Sequence, residues 1–472
     1  MEIEKKIPIH IGLFGHIDSG KTKIAEGLSQ IISTAGIDAH PQSKERGITI
    51  DLGFTSFLLD KYLVTLVDGP GHADLIKISA SSVEIIDCGL IVIDINKGPQ
   101  VQTGEHLIMI ESLKINKLIV VLNKIDLYSG SIEEEIKKTR EFFNSTSFGY
   151  DVPIFAVSAK KKIGFEELKE GILKTIDSLK IERNIEGDLI IPVDHHFPIR
   201  GMGVILTGTI LNGSLKRNQN LDILPIKVSG RVKNIQIFHQ DVHSAKAGDR
   251  VGINLRGIDW KKIFRGCYVT SNPKTFENCN IIEVKVNNNP LFKPKTSFGT
   301  QMHITIGMFT STGNIYPYYE LDGKRIQTTV SNKDQGFKAI ILFKEKVLIR
   351  KKNLIMLLSR LDLPPTTLRI LGSAELLKIY DEPPIFYKYK TKKGIIKNPD
   401  HPEGIICTGL AQSAIGAKKL IGKVLEPPFT KILNTFGTKG AVIIGSKEQK
   451  KRAKRGDSVY LKELRSFKLK NI

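Results

Sequence analysis

Cysteine, acidic residues and long apolar runs are all scarce in this chain of 472 residues, and each shortage excludes a class of protein. The four cysteines lie far apart and form no C-x-x-C pair, so neither a zinc knuckle nor a disulfide framework is predicted. No apolar run approaches the roughly 18 residues that a membrane-spanning helix needs. We therefore expect a soluble protein of a reducing cytoplasm, with no membrane contact; 41% apolar and 25% charged residues are ordinary for that class.

The shortage of acidic residues leaves a formal net charge of +21, which points to a polyanionic partner, with nucleic acid first. The excess is uneven, because residues 387–472 carry 20 Lys and Arg against 6 Asp and Glu, a net +14. A solvated tail is one interpretation. The strand-like spacing of residues 404–446, and the similarity of "KRGDSVYLK" (454–462) to "KAGDRVGIN" (246–254), favour a small β-rich domain with a basic outer face.

The stretch "HIGLFGHIDSGKTKIAEGL" (10–28) indicates an apolar strand, a glycine-rich turn and an amphipathic helix. Residues 15–22 fit the pattern G-x-x-x-x-G-K-[ST]. In such a loop the backbone N–H groups and the helix dipole face phosphate groups. We expect Lys21 to reach the β- and γ-phosphates and Thr22 to bind Mg²⁺. The predicted phosphate-binding residues are Asp18, Ser19, Gly20, Lys21, Thr22 and Lys23.

Three further motifs follow at the ends of predicted buried strands, in the order that a GTP-binding domain requires. In "VTLVDGPGH", Asp68 can hold Mg²⁺ through water and Gly71 can offer an N–H to the γ-phosphate. In "IVVLNKID", the carboxylate of Asp126 can accept two hydrogen bonds from guanine, a pair that adenine cannot supply. Together with "IFAVSAK" these motifs predict an α/β domain that holds GTP or GDP at the carboxyl ends of its strands. The predicted base-binding residues are Asn123, Lys124, Asp126, Ser158, Ala159 and Lys160.

The stretches "KERGITIDLGF" (44–54), "DGPGH" and "GHIDSGKT" together resemble the translational GTPases. The resemblance implies that Thr49 closes over Mg²⁺ when γ-phosphate is present, and that His72 orients the attacking water as the catalytic residue. Ile17 and Ile48 match the family's apolar gate in front of that histidine. Because phosphoryl transfer depends mostly on positioning and electrostatics, we expect slow hydrolysis until a partner aligns the histidine.

Three β-rich segments are predicted after the first 183 residues. Residues 184–272 alternate apolar and polar positions between turns, which is typical of a β-barrel, and they resemble the second domain of elongation factor Tu. Residues 273–385 resemble its third domain. The predicted architecture is multidomain: an α/β P-loop GTPase domain (1–183) followed by three mostly β-barrel domains (184–272, 273–385 and 386–472).

In elongation factor Tu the second domain forms the pocket for the amino acid esterified to tRNA. This chain has Asp194-His195 where the family has acidic residues, and Arg250 where it has Asn. The resemblance implies a cationic pocket in which Asp194 orients His195 or Arg250. A selenol is more acidic than a thiol, whose pKa is about 8.5, so selenocysteine should be an anion at neutral pH. A charged hydrogen bond contributes roughly 1.5–3 kcal/mol, or about 10- to 150-fold discrimination against serine. The alternative for Arg250 is a surface ion pair with Asp249 or Asp194.

These positions, "RLDLPPTTLRILG" (360–372) and the basic carboxy-terminal segment resemble the selenocysteine-specific elongation factors of archaeal or eukaryotic type, over essentially the whole chain. The resemblance implies a monomeric, cytoplasmic GTPase that uses GTP and Mg²⁺. Its partners would be selenocysteinyl-tRNA and the ribosome, with delivery at recoded UGA codons. The carboxy-terminal segment could bind the mRNA insertion-element hairpin, an adaptor protein, the tRNA or ribosomal RNA, and these alternatives stay open.

Other classes of protein make different predictions. A general aminoacyl-tRNA-carrying elongation factor would show no preference among amino acids. The gamma subunit of initiation factor two usually carries a four-cysteine zinc insert in its GTPase domain, and only Cys88 lies in that part of this chain. A GTP-regulated RNA-binding scaffold would bind RNA through its basic end whatever the nucleotide. A metabolic P-loop transferase would need a second-substrate site, for which the first segment offers no residues.

Overall fold

The computed structural model describes residues 3–29, 31–32, 53–68, 85–199, 203–352, 354–364, 366–428, 431–445 and 453–469. These residues form two compact units. The first lies within residues 1–317 and 329–381, and the second within residues 318–328 and 382–472. None of the helices in these ranges is long and apolar enough to cross a membrane.

The amino-terminal segment is a sheet covered by helices. Its strands are β1 (Ile7–Phe14), β2 (Ile31–Ile32), β3 (Gly53–Leu59), β4 (Tyr62–Asp68), β5 (Cys88–Asp94), β6 (Leu118–Asn123) and β7 (Ile154–Val157). Its described helices are α1 (Lys21–Leu28), α2 (Val101–Ser112), α3 (Ile132–Asn144) and α4 (Phe165–Asp177). The strand order is β2-β3-β4-β1-β5-β6-β7, and the strands from β4 to β7 run parallel.

The central strands of this sheet are apolar because helices cover both of its faces. Every residue of β4, β5 and β6 is buried. Side chains alternate along β5, so that Ile91 and Ile93 enter one hydrophobic cluster while Leu90 and Val92 enter the other. The parallel arrangement brings the carboxyl ends of β1, β4, β6 and β7 to one edge, where the predicted GTP-binding motifs lie.

The next segment is a β-barrel. Its strands are β8 (Ile190–Pro192), β9 (His195–Ile199), β10 (Gly203–Thr209), β11 (Ser214–Lys216), β12 (Asn220–Leu224), β13 (Val228–Ile237), β14 (Gln240–Val242), β15 (Ser244–Lys246), β16 (Arg250–Arg256) and β17 (Tyr268–Thr270). The main sheet has the order β8-β17-β12-β13-β16-β10-β9. The two residues between β8 and β9 link the two edges of this sheet. Val193 N–H donates to the Cys267 carbonyl next to β17 (2.8 Å), and Asp194 N–H donates to the Thr207 carbonyl on β10 (3.0 Å). These bonds close the barrel.

The chain from Phe276 to Tyr380 is again strand-rich. It contributes β18 (Phe276–Asn288), β19 (Thr300–Ile306), β20 (Phe309–Leu321), β21 (Lys324–Gln327), β22 (Gly336–Arg350), β23 (Ile355–Ser359) and β24 (Ile370–Tyr380). β21 and the end of β20 belong to the second compact unit. The other strands surround an apolar core that includes Ile282, Ile304 and Ile341.

The carboxy-terminal segment is a folded β-rich domain and not a solvated tail. Its elements are β25 (Ile385–Asn398), β26 (Ile405–Thr408), α5 (Ala414–Lys418), β27 (Ile432–Phe436), β28 (Ala441–Ile444) and β29 (Ser458–Lys468). Ile396, Leu410, Leu420 and Val459 are buried in one apolar cluster. Most of the lysines of this segment are exposed, as expected for a basic outer face.

Within the first compact unit, a buried ion pair joins α2 to the strand-rich segment from Phe276 to Tyr380. The side chains of Arg369 and Glu105 are only 2% and 1% exposed. The Arg369 guanidinium donates through Nε (2.9 Å) and Nη2 (2.8 Å) to the two carboxylate oxygens, and the Arg369 backbone N–H donates to one of them (3.1 Å). A planar bidentate pair of this kind sets both the distance and the orientation of the two elements.

We expect Arg369→Lys to lower the free energy of unfolding by about 1–2 kcal/mol, because lysine keeps the charge but loses the two parallel hydrogen bonds. Urea-induced unfolding followed by circular dichroism measures this. Lys114→Ala is the control, since Lys114 forms a largely exposed pair with Glu375 between the same two segments, and such pairs contribute about 0–1 kcal/mol. An equal decrease in the free energy of unfolding in the two variants would contradict a stabilising role for the Arg369–Glu105 hydrogen bonds.

Candidate functional site

The loop between β1 and α1 is folded around its own lysine. Lys21 Nζ donates to the carbonyl oxygens of Gly15 (3.1 Å) and His16 (3.2 Å). The buried Ser19 hydroxyl has no hydrogen-bond partner among the described residues. A curled loop with a buried cation and an unused hydroxyl suits the phosphate groups of a nucleotide.

Two glycines make this loop possible. Gly15 and Gly20 have φ values of +137° and +94°, a region that side chains disfavour. A Cβ at Gly15 would lie 2.2 Å from the Val92 carbonyl oxygen, and one at Gly20 would lie 2.2 Å from the Asn123 amide nitrogen. The loop therefore rests directly on β5 and on the end of β6.

Thr22 and Asp68 lie together at the position predicted for magnesium. Thr22 Oγ1 donates to Asp68 Oδ2 at 3.0 Å, and Asp68 is the last residue of β4. A hydroxyl and a carboxylate are the hard oxygen ligands that Mg²⁺ prefers. The residues present therefore fit the ion, either directly or through water.

Asn123 ties together three of the predicted motifs. Its amide nitrogen donates to the Ser19 carbonyl (2.8 Å), and its oxygen accepts from the Ala159 backbone N–H (3.0 Å). Ser158 Oγ donates to Asp126 Oδ1 at 2.6 Å, and this hydrogen bond is the main cause that lowers the pKa of Asp126. The Asp126 carboxylate is thus charged and oriented, as a guanine acceptor must be.

Lys124 is held by an acid that the motifs do not include. Its Nζ lies 2.9 Å from Asp94 Oδ2 at the end of β5. Burial alone would raise the pKa of Asp94, but hydrogen bonds from Lys124 and Asn96 outweigh it and lower the pKa. The Asp94–Lys124 pair fixes the lysine beside the loop that is predicted to bind the base.

The remaining predicted nucleotide residues differ in placement. Asp18, Lys23 and Lys160 are exposed at the same edge, with Lys23 paired to Glu26 at 2.7 Å. Ile17 of the predicted apolar gate is half-buried. Four predicted residues, namely Ile48, Thr49, Gly71 and His72, lie outside the described residues.

A buried histidine, His106, forms a hydrogen bond with the loop between β1 and α1, and the sequence analysis did not identify it. The Gly15 backbone N–H donates to His106 Nδ1 on α2 at 3.1 Å. Burial, and then the charge of Lys21, lower the pKa of His106 to about 3. The ring is therefore neutral and can accept this hydrogen bond at any physiological pH. No motif marks this position.

The three residues predicted for the amino-acid pocket form one cluster on the barrel. Asp194 is fully buried, and it accepts from Arg250 Nη1 (2.5 Å), Arg250 Nη2 (3.1 Å) and Thr207 Oγ1 (2.6 Å). His195 Nδ1 lies 3.0 Å from the same carboxylate. Burial alone would raise the pKa of Asp194, but the charge of Arg250 and the hydrogen bonds of His195 and Arg250 hold it well below its usual range.

The amino-terminal segment contributes one wall of this cluster. The Arg250 guanidinium lies 3.4 Å from the ring centroid of Phe54, which is fully buried on β3. The His195 ring meets Phe54 edge-on at 6.0 Å and stacks on Phe197 at 6.1 Å. Phe54 follows the predicted loop residue Thr49 by only five positions. The cluster on the barrel is therefore in direct contact with the GTPase segment.

Comparison with protein families identifies three parts of the chain. The elongation factor Tu GTP-binding domain matches residues 6–178, and elongation factor Tu domain 2 matches residues 203–270. Domain III of the archaeal selenocysteine-specific elongation factor matches residues 277–380. These matches confirm the predicted fold class, a GTPase domain followed by β-barrel domains.

Whole proteins agree with these domain matches. The selenocysteine-specific elongation factor of Methanocaldococcus jannaschii is 41% identical over 97% of this chain and 98% of its own length. The mouse factor is 38% identical over 66% of this chain and 56% of its own length. The crystal structure of elongation factor SelB from Methanococcus maripaludis with the GTP analogue GppNHp matches with a TM-score of 0.80 and 35% identity, covering 98% of this chain and 99% of that one. The chain therefore belongs to the selenocysteine-specific elongation factors, and residues 6–178 form a GTPase of the elongation factor Tu type.

Proposed function

We propose that this protein binds GTP and selenocysteinyl-tRNA, delivers the tRNA to the ribosome at recoded UGA codons, and hydrolyses GTP there. The observation that carries the proposal is the cluster of Asp194, His195 and Arg250 on the second segment, packed against Phe54 of the GTPase segment. The cluster combines a cation for the amino acid with a direct contact to the nucleotide-binding segment.

Arg250 is suited to hold a selenolate. A guanidinium has five N–H donors, and the bidentate pair with Asp194 uses two of them. Asp194 aligns the guanidinium, while Phe54 covers one of its faces and keeps water away from it. In such a dry setting a second anion on the remaining donors binds more strongly than it would in water. Serine carries no negative charge that the remaining guanidinium donors could attract, so it is bound less tightly.

The GTPase segment supplies the switch. We propose that Thr22 and Asp68 hold Mg²⁺, the latter through water, and that Thr49 and Gly71 close on the γ-phosphate. His72 would orient the attacking water behind the apolar gate of Ile17 and Ile48. When bound, Mg²⁺ neutralises charge on the phosphates. Closure of the loop before β3 would reach Arg250 through Phe54, so that the GTP state sets the affinity for aminoacyl-tRNA.

The remaining assignments are proposals of the same kind. We propose domain boundaries at residues 183, 272 and 385, a cytoplasmic monomer, and a role for the carboxy-terminal domain in reading the insertion context of the UGA codon. Its ligand could be the mRNA hairpin, an adaptor protein, tRNA or ribosomal RNA. Its net positive charge supports an RNA ligand through salt-dependent phosphate attraction.

The proposal is tested by filter-binding of the GTP-loaded protein with selenocysteinyl-, cysteinyl- and seryl-tRNA at one salt concentration. We expect selenocysteinyl-tRNA to bind at least tenfold more tightly than seryl-tRNA, because only the selenol is fully ionised at neutral pH. The GDP-loaded protein is the control for the switch. Equal affinities for the three tRNAs would indicate a general carrier, and RNA binding that ignores the nucleotide would indicate a scaffold.

A further inference from the structure

The strands β25 and β29 form a ribbon, which β21 joins only beside Phe386 and Tyr387. Among the described residues, the middle part of this ribbon packs on no apolar core. They pair from Ile385↔Lys468 to Ile395↔Ser458. At one end Ile396, Val459 and Leu461 enter the apolar core, and at the other end Phe386 packs on Phe467. Between these ends most side chains are exposed. A ribbon of this kind gains little from burial, so its side chains are available for a ligand.

One face of this ribbon carries aromatic and basic side chains together. We call it the tyrosine face; the register places Tyr387, Tyr389, Lys393, Tyr460 and Lys462 on it. Tyr389 and Tyr460 are 39% and 38% exposed, and Tyr460 pairs directly with Lys393. Lys462 Nζ lies 4.6 Å from the ring centroid of Tyr389. Rings and ammonium groups are thus interleaved on a surface that is open to solvent.

The spacing of these rings leaves room for the bases of an extended single strand. Tyr387 and Tyr389 are two residues apart on one strand, or about 7 Å. Tyr460 lies at the level of Lys393, four residues beyond Tyr389, or about 13 Å along the ribbon. Each interval leaves room for a nucleotide whose base lies on a ring while its phosphate reaches a lysine.

The charge of this face is not neutralised from within the ribbon. Its single acidic residue, Glu463, lies on the opposite face, where it pairs with Lys392 (3.0 Å), Arg465 (3.3 Å) and Lys423. The hydrogen bond from Lys423, with those from Lys392 and Arg465, lowers the pKa of Glu463 to about 2. The carboxylate is therefore occupied by three cations, while Lys393 and Lys462 stay beside the tyrosines.

We propose that the tyrosine face binds unpaired nucleotides of an RNA, with the rings of Tyr389 and Tyr460 stacking on bases and with Lys393 and Lys462 contacting phosphates. A regular RNA duplex keeps its bases stacked inside the helix, so exposed rings select loops, bulges and single strands. A protein partner fits less well, because the centre of a protein interface is depleted of lysine. The inference rests on the proposed role at a recoded codon, where an RNA must be recognised.

Fluorescence anisotropy of a labelled single-stranded oligouridine, with the full-length protein, tests this. We expect Tyr389→Ala and Tyr460→Ala each to weaken binding about tenfold, because base–aromatic stacking contributes at this level. Tyr389→Phe and Tyr460→Phe should bind like the wild type, since the ring is kept. Tyr150→Ala is the matched control; that tyrosine is 44% exposed in the GTPase segment and has the Arg140 guanidinium 5.9 Å from its ring.

The lysines should act in a different way. Lys393→Ala and Lys462→Ala are expected to reduce the slope of log affinity against log salt by about 0.7 each, whereas the tyrosine variants leave the slope unchanged. The wild type should bind the oligouridine at least tenfold more tightly than a blunt RNA duplex of equal length. Unchanged affinity in the alanine variants, equal loss in the phenylalanine variants, or preference for the duplex would overturn the proposal.

Failure here can be told apart from failure of the proposed function. The same variants are assayed for GTP-dependent protection of selenocysteinyl-tRNA against deacylation, which the proposed function assigns to the cluster of Asp194, His195 and Arg250. If the wild-type protein did not protect selenocysteinyl-tRNA against deacylation, the proposed function alone would be overturned. Normal protection with unchanged oligouridine binding in the tyrosine variants would overturn the ribbon proposal alone and would leave the face to a protein adaptor.

Discussion

Replacing Asp126 by asparagine is expected to lower the affinity for GTP by about 10⁴-fold, the scale seen when a site built for hydrogen bonds meets a mismatched ligand. The carboxylate offers two acceptor oxygens to the two N–H donors of guanine. Asparagine would turn one oxygen into an N–H₂ donor, which would face the exocyclic amine of guanine. Xanthine has an oxygen at that position, so the variant should bind xanthosine triphosphate more tightly than GTP. Competition against a fluorescent guanine nucleotide measures both affinities.

The change leaves the surroundings of the residue in place. Ser158 Oγ, which donates to Asp126 Oδ1 at 2.6 Å, can donate equally to an asparagine oxygen. Asp151→Asn is the control, because that carboxylate is exposed elsewhere on the same segment. GTP binding that survives Asp126→Asn, or is lost equally in Asp151→Asn, would show that the base lies elsewhere.

The nucleotide site could be predicted from the sequence because each of its parts is local. A glycine-rich turn between a strand and a helix, or N-K-x-D at the end of a buried strand, is defined by neighbouring residues. The parallel sheet then brings these ends together whatever the rest of the chain does. Described residues of the four motifs lie at one edge, where Thr22 bonds to Asp68 and Asn123 bonds to Ser19 and Ala159.

Contacts between distant parts of the chain could not be predicted in this way. His106 lies 91 residues from Gly15, and Arg369 lies 264 residues from Glu105. Nothing in the local pattern around either residue indicates its partner. Phe54 is the last residue of the quoted stretch 44–54, so sequence analysis included it. Its contact with Arg250 could not be predicted, because that contact depends on how the barrel packs against β3. Such contacts depend on how distant segments pack together, and the periodicity and spacing of residues along the chain do not predict that packing.

The partner of Arg250 shows both the strength and the limit of sequence reasoning. The family resemblance singled out the arginine and left two carboxylates, Asp194 and Asp249, as its possible partners. In the structure Arg250 pairs with Asp194, because neighbouring strands β9, β10 and β16 bring the two residues to one end of the barrel. Asp249 instead accepts the Lys246 backbone N–H at 2.8 Å. The alternative interpretation was a surface ion pair, but the Arg250–Asp194 pair is largely buried and lies beside His195, the third residue predicted for the pocket.

Replacing Arg250 by asparagine is therefore expected to change both selectivity and stability. The ratio of affinities for selenocysteinyl- and seryl-tRNA should shrink by about 10- to 150-fold, because the charged hydrogen bond to the selenolate is lost. The free energy of unfolding should fall by about 3–5 kcal/mol, because the fully buried Asp194 loses its main counter-charge. Filter-binding with the two tRNAs and urea-induced unfolding measure the two effects.

A double variant separates them. With Asp194→Asn added to Arg250→Asn no buried charge is left unpaired, so we expect most of the lost stability to return. Selectivity should not return, because the cation is still missing. Thr207 Oγ1 and His195 can both bond to an asparagine at position 194, so the shape of the cluster is kept. If the double variant regained both properties, destabilisation of the barrel would explain the loss of selectivity; if Arg250→Asn lost stability alone, the arginine would be a structural cation between Asp194 and Phe54.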